Sequence, residues 1–273
     1  MLDDAAIHVD AVVARLRSAG CVFAEDEAAL LLAAAPSGRQ LDALVERRAA
    51  GEPLEQVVGW AEFAGLRIIV DPCVFVPRRR SEFLVSVAVG LARPPANGSG
   101  RIPVIVDLCC GTGALGLAVA TGLAGRAELH AADLDLAAVA CARRNLEAAG
   151  GHVYVGDLFD PLPTGLRGRV DILICNAPYV PTGDVALLPA EARDHEPLVA
   201  LDGGLDGLAT LRRAASGAPG WLAPGGVLLV ETSDRQAAEM AAVMAVAGLS
   251  PAVHSDEDAG ATVVTGRAGC AGV

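Results

Sequence analysis

The stretch VIVDLCCGTGALGLAVA, residues 104–120, joins a run of β-branched residues to an alanine-rich helical stretch through a glycine loop. Glycines at 111, 113 and 116 permit a tight turn and let the backbone come close to a ligand. A strand, a glycine loop and a helix in this order begin a doubly wound α/β sheet, whose ligands bind at the carboxyl ends of the strands. The stretch therefore predicts an α/β fold and the edge of the sheet where a ligand binds.

Further apolar segments alternate with helical or loop material after this stretch, which predicts a mainly parallel sheet. The last two apolar segments predict a closing antiparallel hairpin. The strand candidates are 104–110, 127–133, 152–157, 170–176 and 226–232, with 250–255 and 261–266 as the hairpin. Together they predict a Rossmann-like fold.

The chain of 273 residues divides into three predicted segments. Residues 1–53 read as short helices and form a helical N-terminal module. Residues 54–80 hold β-branched runs separated by turn signals, which predicts a linking β-hairpin. Residues 81–273 carry the α/β pattern, interrupted by RPPANGSG at 93–100, which we expect to be flexible.

Composition limits the classes of partner. The net charge of −12 disfavours a large phosphate-binding surface, so we expect no stable nucleic-acid partner. No apolar run reaches the ~20 residues of a membrane span, and the acidic start is unlike a secretory signal. The seven cysteines form no Cys-x-x-Cys pair and no zinc-type cluster with histidine. We therefore expect a cytoplasmic, monomeric protein without a metal or a membrane partner.

Three acids at strand ends bear on the cofactor. Asp133 follows Gly113 by twenty residues, a spacing that suits the two hydroxyls of a ribose. Asp107 ends the first strand and Asp157 the third. A carboxylate at position 107 would repel the pyrophosphate of a nicotinamide dinucleotide but attract the ammonium and sulfonium of S-adenosylmethionine. The three acids favour S-adenosylmethionine, although strand-end acids can also be ordinary turn residues.

The fourth strand ends in Asn176-Ala177-Pro178-Tyr179 and should lie beside the first strand. An uncharged amide nitrogen is a poor nucleophile, and its methylation needs acceptors that hold the NH₂ group as positive charge develops. The Asn176 side-chain oxygen and the Ala177 carbonyl can supply them, and the Tyr179 ring can stack on a flat amide or base. The alternative is a turn that only ends a strand.

The order of these motifs resembles that of class I methyltransferases with an Asn-Pro-Pro-Tyr signature. The signature is shared by enzymes that methylate amino groups of nucleic-acid bases and by protein-glutamine N5-methyltransferases. GEPLEQVVGWAEFAGLRIIVDPCVFVPRRRSE is similar to the hairpin and "PRPETE" segment of the HemK-like release-factor glutamine methyltransferases, and EPLVALDGGLDGL is similar to their downstream segment. The resemblance covers residues 51–267.

This resemblance implies N5-methylation of the Gly-Gly-Gln glutamine of a peptide chain release factor. Phe75 and Tyr179 would flank the glutamine, with Asn176 between the cofactor and the substrate. Catalytic roles would fall on Asn176, Ala177, Pro178 and Tyr179. S-adenosylmethionine would be bound by Asp107, Cys109, Cys110, Gly111, Thr112, Gly113, Asp133, Leu134, Asp157, Leu158 and Asn176.

The chain departs from the family pattern at several positions. Cys109 and Cys110 stand where small residues are expected, Leu158 replaces an aromatic residue, and PRRRSE replaces PRPETE. Ala177 replaces a proline, from which we expect a working but slightly looser site. Five further side chains receive non-catalytic interpretations. The arginines at 78–80 are expected to be a solvated run, with contact to an acidic partner or ribosomal RNA as the alternative. Glu82 is expected to support the fold between hairpin and sheet, and His195 to be a loop or hydrogen-bonding histidine and not a catalytic base.

Other functions remain open at this point. A DNA or RNA amino-methyltransferase shares the Asn-Pro-Pro-Tyr signature but should have a basic face. A non-catalytic homologue could keep the S-adenosylmethionine pocket alone, and a nicotinamide oxidoreductase would bind a dinucleotide instead. Another glutamine acceptor than a release factor is open as well.

Overall fold

A computed structural model describes residues 2–92 and 101–270 of the chain. The stretch 93–100, expected to be flexible, lies outside the described residues. The helices are α1 (Leu2–Ser18), α2 (Ala24–Ala34), α3 (Gly38–Ala49), α4 (Leu54–Val58), α5 (Glu82–Leu91), α6 (Ala114–Gly122), α7 (Leu136–Leu146), α8 (Ala190–His195), α9 (Ala209–Gly217) and α10 (Asp234–Val246). The strands are β1 (Trp60–Phe63), β2 (Leu66–Ile69), β3 (Val104–Leu108), β4 (Glu128–Asp133), β5 (His152–Val155), β6 (Val170–Cys175), β7 (Leu222–Thr232), β8 (Ser250–Asp256) and β9 (Ala261–Arg267).

The N-terminal helices pack around their own small core, whose fully buried members include Leu16 and Leu31. The predicted hairpin is shorter than its segment, because only β1 and β2 pair. Residues 54–58 form the helix α4, which begins after Pro53 and ends at Gly59 with φ at +84°. A proline before the first turn and a left-handed glycine after the last are common helix boundaries, and here they override the β-branched composition.

The main sheet has seven strands in the order β5-β4-β3-β6-β7-β9-β8. Strands β3 to β7 run parallel, and β9 and β8 close the sheet as an antiparallel hairpin. The predicted doubly wound sheet with a closing hairpin is thus confirmed.

Alternate side chains of the central strands enter two separate cores, one on each face of the sheet. Ile105 of β3 and Ile174 of β6 pack towards α5, α6 and α7. Val106 and Leu173, from the same two strands, face the other way and pack with α9 and α10. A strand buried on both faces carries a continuous apolar run because every side chain enters a core.

The strand order sets the position of the site. Leu108 pairs with Cys175 across β3 and β6 and with Ala132 across β3 and β4. The glycine loop, the end of β4 and the turn at 176–179 therefore begin at the same level of one sheet edge, where the chain order reverses. Within residues 2–92 and 101–270, no helix is both long and apolar enough to cross a membrane.

Candidate active site

A cavity of about 530 Å³ runs along this edge of the sheet. One end is lined by the glycine loop and by the strand ends at 133–135 and 156–158. The other is lined by Phe75, the 176–179 turn and several of the residues between 188 and 201, Glu191 among them. All of the predicted site residues line the cavity except Asp107 and Gly113. Sites predicted separately for a nucleoside and for an acceptor amide thus share one continuous space.

The glycine loop needs left-handed backbone at three positions. Cys109 has φ at +54°, Gly111 at +54° and Gly113 at +77°. A side chain in this region costs about 1–2 kcal/mol, a strain that Cys109 carries and glycine would avoid. The Gly113 N–H donates to the Cys110 carbonyl at 2.7 Å and closes the turn.

The Cys109 thiol lies between β3 and β6. A hydrogen bond with Cys175, followed by burial, raises its pKa well above the ordinary value. Burial likewise raises the pKa of the Cys110 thiol. Both thiols are therefore neutral near pH 7, and cysteine binds metals as the thiolate. Among the described residues, no group of three or more histidine, cysteine or acidic side chains could hold a metal ion.

Asp133 holds the glycine loop while it lines the cavity. Its Oδ2 accepts from the Gly111 N–H at 2.8 Å and its Oδ1 from the Asp135 N–H at 2.9 Å. Burial raises the pKa of Asp133, although these backbone hydrogen bonds oppose the shift. A carboxylate oxygen can accept more than one hydrogen bond, so both oxygens can still receive a hydroxyl of a ribose.

Asp157 and Leu158 line the same end of the cavity. Asp157 accepts from Arg213 at 3.2 Å and 2.7 Å, through its two oxygens. Leu158 is buried with φ at +47°. Sequence reasoning did not find Arg213, because nothing near position 157 points to a cation 56 residues later in the chain.

Asp107 lies beneath the loop and does not reach the cavity. Its side chain is buried, with Oδ2 accepting from the Gly116 N–H at 2.9 Å and Oδ1 without a partner among the described residues. Burial raises the pKa of Asp107 to about 7, a shift that Asp133 increases. Asp107 contacts the start of α6, so its carboxyl group can influence a bound cofactor only by an electrostatic interaction across the loop.

Ser81 orients the amide of Asn176. The Asn176 Nδ2 donates to the Ser81 Oγ at 3.4 Å, which leaves Oδ1 without a partner in the described part of the chain. No described residue donates to the carbonyl oxygen of Ala177 either. Two acceptor oxygens, one from a side chain and one from the backbone, are therefore available beside the glycine loop.

Tyr179 is held at both ends. Its carbonyl oxygen accepts from Gln236 Nε2 at 2.9 Å, and its hydroxyl donates to Glu231 Oε1 at 2.8 Å. Burial, followed by the charge of Glu231, raises the pKa of Tyr179, so the phenol stays protonated and can donate. The Arg80 Nη2 donates to the same hydroxyl at 2.8 Å.

Two of the three arginines expected to form a solvated run make ion pairs, although all three remain partly exposed. Arg78 pairs with the buried Glu196 and lies with Cζ 4.7 Å from the centroid of the Phe75 ring. Arg80 pairs with the buried Glu231 at 3.0 Å. Each arginine pairs with a buried carboxylate because a buried charge without a partner raises the free energy of the folded state.

Two further interpretations can be compared with the contacts. Glu82 Oε1 accepts from the Ala64 N–H at 3.0 Å, in the β1–β2 turn, so Glu82 does link the hairpin to α5. His195 is not among the residues that line the cavity and lies beside Gly51.

The segment after the turn supports it from behind. A Cβ on Gly203 would lie 2.6 Å from the Pro178 carbonyl oxygen, and one on Gly207 would lie 2.2 Å from that of Tyr179. Both positions therefore require glycine for close approach. The sequence analysis used this segment only for its resemblance to the family and predicted no structural role for it. The spacing of its glycines could have indicated a close approach of two backbone segments.

The chemistry of the cavity fits S-adenosylmethionine better than a dinucleotide. Asp133 and Asp157 stand at its nucleoside end, and the loop itself carries no cation. Arg213, which also lines the cavity, is already paired with Asp157. An anionic surround suits a cationic nucleoside and repels a pyrophosphate.

Comparisons with known proteins match the chain to methyltransferases. The family model "Methyltransferase small domain" matches residues 95–191. The release factor glutamine methyltransferase of Geobacter sulfurreducens is 37% identical, over 83% of this chain and 77% of its own length. The 4-amino-L-phenylalanine/4-methylamino-L-phenylalanine methyltransferase of Streptomyces pristinaespiralis is 36% identical, over 75% and 69%.

A solved structure shows the same fold. The 16S rRNA N2 G1207 methyltransferase of T. thermophilus, in complex with AdoMet and guanosine, superposes with a TM-score of 0.51 at 18% identity. The match covers 77% of this chain and 49% of that one. By its identity to these relatives, the chain belongs to the release factor glutamine methyltransferase family of S-adenosylmethionine-dependent enzymes.

Proposed function

We propose that the chain methylates the N5 amide nitrogen of a glutamine in a peptide chain release factor, with S-adenosylmethionine as the methyl donor. The observation that carries the proposal is the Asn176 amide, whose Nδ2 is engaged by Ser81 at 3.4 Å while its Oδ1 is free beside the glycine loop. The cytoplasmic location expected from the sequence remains part of this proposal.

The nucleoside end of the cavity would hold the cofactor through Asp133, the loop at 109–112 and the turn at 157–158. S-adenosylmethionine supplies a methyl group on a sulfonium, which is the electrophile of the transfer. Asp133 would accept hydrogen bonds from the ribose hydroxyls, and the carboxylates on this side would favour the positive charge of the cofactor.

The acceptor end prepares the amide nitrogen for attack. Asn176 Oδ1 and the Ala177 carbonyl oxygen accept its two N–H groups, and both oxygens stabilise the positive charge that develops on nitrogen. The Tyr179 ring stacks on the flat amide and aligns the nitrogen, which is an effect of positioning. The proton leaves to solvent after the methyl group has been transferred, so no side-chain base is required.

The experiment is incubation with methyl-labelled S-adenosylmethionine and purified release factor, followed by mass spectrometry of the labelled peptide. We expect label on the glutamine of the Gly-Gly-Gln motif and none on a release factor in which that glutamine is replaced by glutamate. Asn176→Ala should lower turnover at least 100-fold, since it removes an acceptor of developing charge. Calorimetry should find its cofactor affinity within a few-fold of the parent.

Other outcomes would change the substrate class. Label on nucleic acid would identify the amino-methyltransferase that the signature also allows. Label on free 4-amino-L-phenylalanine, with none on release factor, would place the activity with the S. pristinaespiralis relative. Cofactor binding without any transfer would leave a non-catalytic homologue, and unimpaired turnover by Asn176→Ala would remove the assigned mechanism.

A further inference from the structure

We propose that Arg80 is a positioning residue, which fixes the Tyr179 ring at the acceptor end of the cavity by joining its hydroxyl to the buried carboxylate of Glu231. The inference rests on the proposed function, because Tyr179 is taken as the ring that stacks on the acceptor amide.

The three side chains form a closed triangle of hydrogen bonds. Arg80 Nε donates to Glu231 Oε1 at 3.0 Å, and Arg80 Nη2 donates to the Tyr179 hydroxyl at 2.8 Å. The hydroxyl in turn donates to the same Glu231 Oε1 at 2.8 Å. Arg80 lies before α5, Tyr179 after β6 and Glu231 near the end of β7, so the triangle joins three segments of the chain at the cavity wall.

The carboxylate of the triangle is buried, whereas the Arg80 side chain is 46% exposed. The Glu231 side chain is 2% exposed, and its Oε2 has no partner among the described residues. A buried carboxylate without a cation is strongly unfavourable, so the pair with Arg80 is held in place by the cost of separating it. Charge-assisted hydrogen bonds of this kind are shorter and stronger than neutral ones.

The triangle fixes the ring at the end opposite its backbone. At the backbone end, Gln236 Nε2 donates to the Tyr179 carbonyl oxygen at 2.9 Å. At the other end, the hydroxyl is held by two partners. Tethers at both ends fix the position of the ring and the direction of its long axis, and Arg80 Cζ lies 5.9 Å from the ring centroid. A fixed position of the ring in the cavity wall is what stacking on a flat amide requires.

Two residues of this chain near the triangle differ from the family pattern. Arginine stands at position 80, where the similar PRPETE segment has an acid, so the charge at this point is reversed. Ala177 also lacks the fixed φ of the proline it replaces, which removes a restraint from the turn. The triangle supplies a restraint from the side-chain end of the same turn.

The first test compares Arg80→Met with Arg79→Met. Arg79 is exposed and forms no side-chain hydrogen bond or ion pair among the described residues, so its variant is a matched loss of one arginine from the same segment. We expect Arg80→Met to lower kcat for release factor roughly ten-fold, as misplacement of an orienting group does. Cofactor affinity should stay within two-fold, and Arg79→Met should leave both quantities unchanged.

A double-mutant cycle separates positioning from general destabilisation. In a Tyr179→Phe background the hydroxyl is absent, so Arg80→Met should cost less than a further two-fold in kcat. Independent, multiplicative effects of the two substitutions would overturn the inference. Arg80→Met leaves the Glu231 carboxylate without a cation, so kcat is also measured in Arg80→Met/Glu231→Gln, which has no buried unpaired charge. The conservative variant Arg80→Lys should recover part of kcat.

A spectroscopic readout does not need the substrate. The chain has two tyrosines, Tyr154 and Tyr179, so 3-fluorotyrosine incorporation gives two ¹⁹F resonances, which Tyr154→Phe assigns. Arg80→Met should shift and narrow the Tyr179 resonance as the ring gains freedom, while Arg79→Met should leave it in place. An unchanged Tyr179 resonance would overturn the inference even if release factor is methylated. A shifted resonance without methylation of release factor would instead contradict the proposed function alone.

Discussion

At the scale of single residues, burial separates side chains that look equivalent in the sequence. Asp107, Asp133 and Asp157 all stand at or near strand ends. Asp133 and Asp157 reach the cavity, whereas Asp107 is 1% exposed beneath α6. Aspartates at similar sequence positions therefore differ in role. Asp133 and Asp157 can accept hydrogen bonds from a ligand in the cavity, whereas Asp107 supports the start of α6 from a buried position.

Asp107 should make the stability of the protein depend on pH. Its pKa is about 7 in the folded chain, against 3.8 for the ordinary group. Since the folded pKa is the higher one, its favourable contribution is complete below about pH 4 and is lost as the pH rises to about 7. The loss amounts to roughly 4 kcal/mol, from about 1.4 kcal/mol for each pH unit.

The substitution Asp107→Asn should remove this dependence, because asparagine can still accept from Gly116 but carries no proton to lose. Urea unfolding, followed by circular dichroism, gives the free energy of unfolding of both proteins at pH 5, 6, 7 and 8. The difference, variant minus parent, should increase with pH and become constant above about pH 7. The exposed Asp258→Asn is the control. A difference that is the same at each pH would contradict the assignment.

At the scale of elements, the 176–179 turn depends on a segment that contributes little to the cavity. Gly203 N–H donates to the Val180 carbonyl at 2.8 Å, and Gly203 and Gly207 lie against the backbone of the turn. Gln236, near the start of α10, binds both the Tyr179 and the Asp206 carbonyl oxygens at 2.9 Å. Turn, glycine segment and helix thus act as one unit.

Gly207→Ala should disrupt this unit. The added Cβ would lie 2.2 Å from the Tyr179 carbonyl oxygen and 2.3 Å from Gln236 Nε2, so the backbone must move. We expect thermal unfolding to report a loss of at least 3 kcal/mol, beyond the strain of a left-handed alanine. Methyl transfer should fall with it, while the glycine loop, on the other side of the cavity, keeps its cofactor affinity.

Gly260→Ala is the matched control. Gly260 also has positive φ, at +59°, but a Cβ there would meet nothing within 4 Å. Its cost should be limited to the backbone strain of about 1–2 kcal/mol. Equal losses from the two variants would show that crowding behind the turn has no part in its stability.

At the scale of the whole molecule, one arginine joins the N-terminal helices to the acceptor end of the cavity. Arg48 of α3 donates to both oxygens of Glu27 in α2, at 2.6 Å and 3.1 Å. Its Nη1 lies 3.5 Å from Glu191 Oε1 in α8, and Glu191 lines the cavity. The Arg48 and Glu27 side chains are 11% and 10% exposed, so that pair is shielded from water, whereas Glu191 is 43% exposed.

Arg48→Met should therefore affect substrate binding from a distance. Removing one partner of a buried pair costs about 3–5 kcal/mol, which denaturant unfolding should detect. Release of Glu191 should raise the KM for release factor several-fold, whereas calorimetry should find the affinity for S-adenosylmethionine unchanged. Arg39→Met, on the exposed face of the same helix, is the control. An unchanged KM would mean that the helices and the cavity are not coupled through this contact.

Local patterns in the chain were sufficient to predict the doubly wound sheet, the closing hairpin, the glycine loop and the edge of the sheet where they meet. Apolar periodicity and glycine requirements depend on a few neighbouring residues, and strand order then follows from a small set of allowed connections. The turn at Asn176 was predictable for the same reason, as a polar stop at the end of an apolar run.

Long-range side-chain partners could not be obtained in this way. The pairs Arg80–Glu231 and Arg78–Glu196 join residues 151 and 118 positions apart, and the Ser81–Asn176 hydrogen bond spans 95. The burial of Asp107 and the helical state of residues 54–58 also depend on what packs against them. No local pattern encodes such contacts, because the energy of a charge or a polar group is set by its distance to partners and to water, and folding alone brings these groups together.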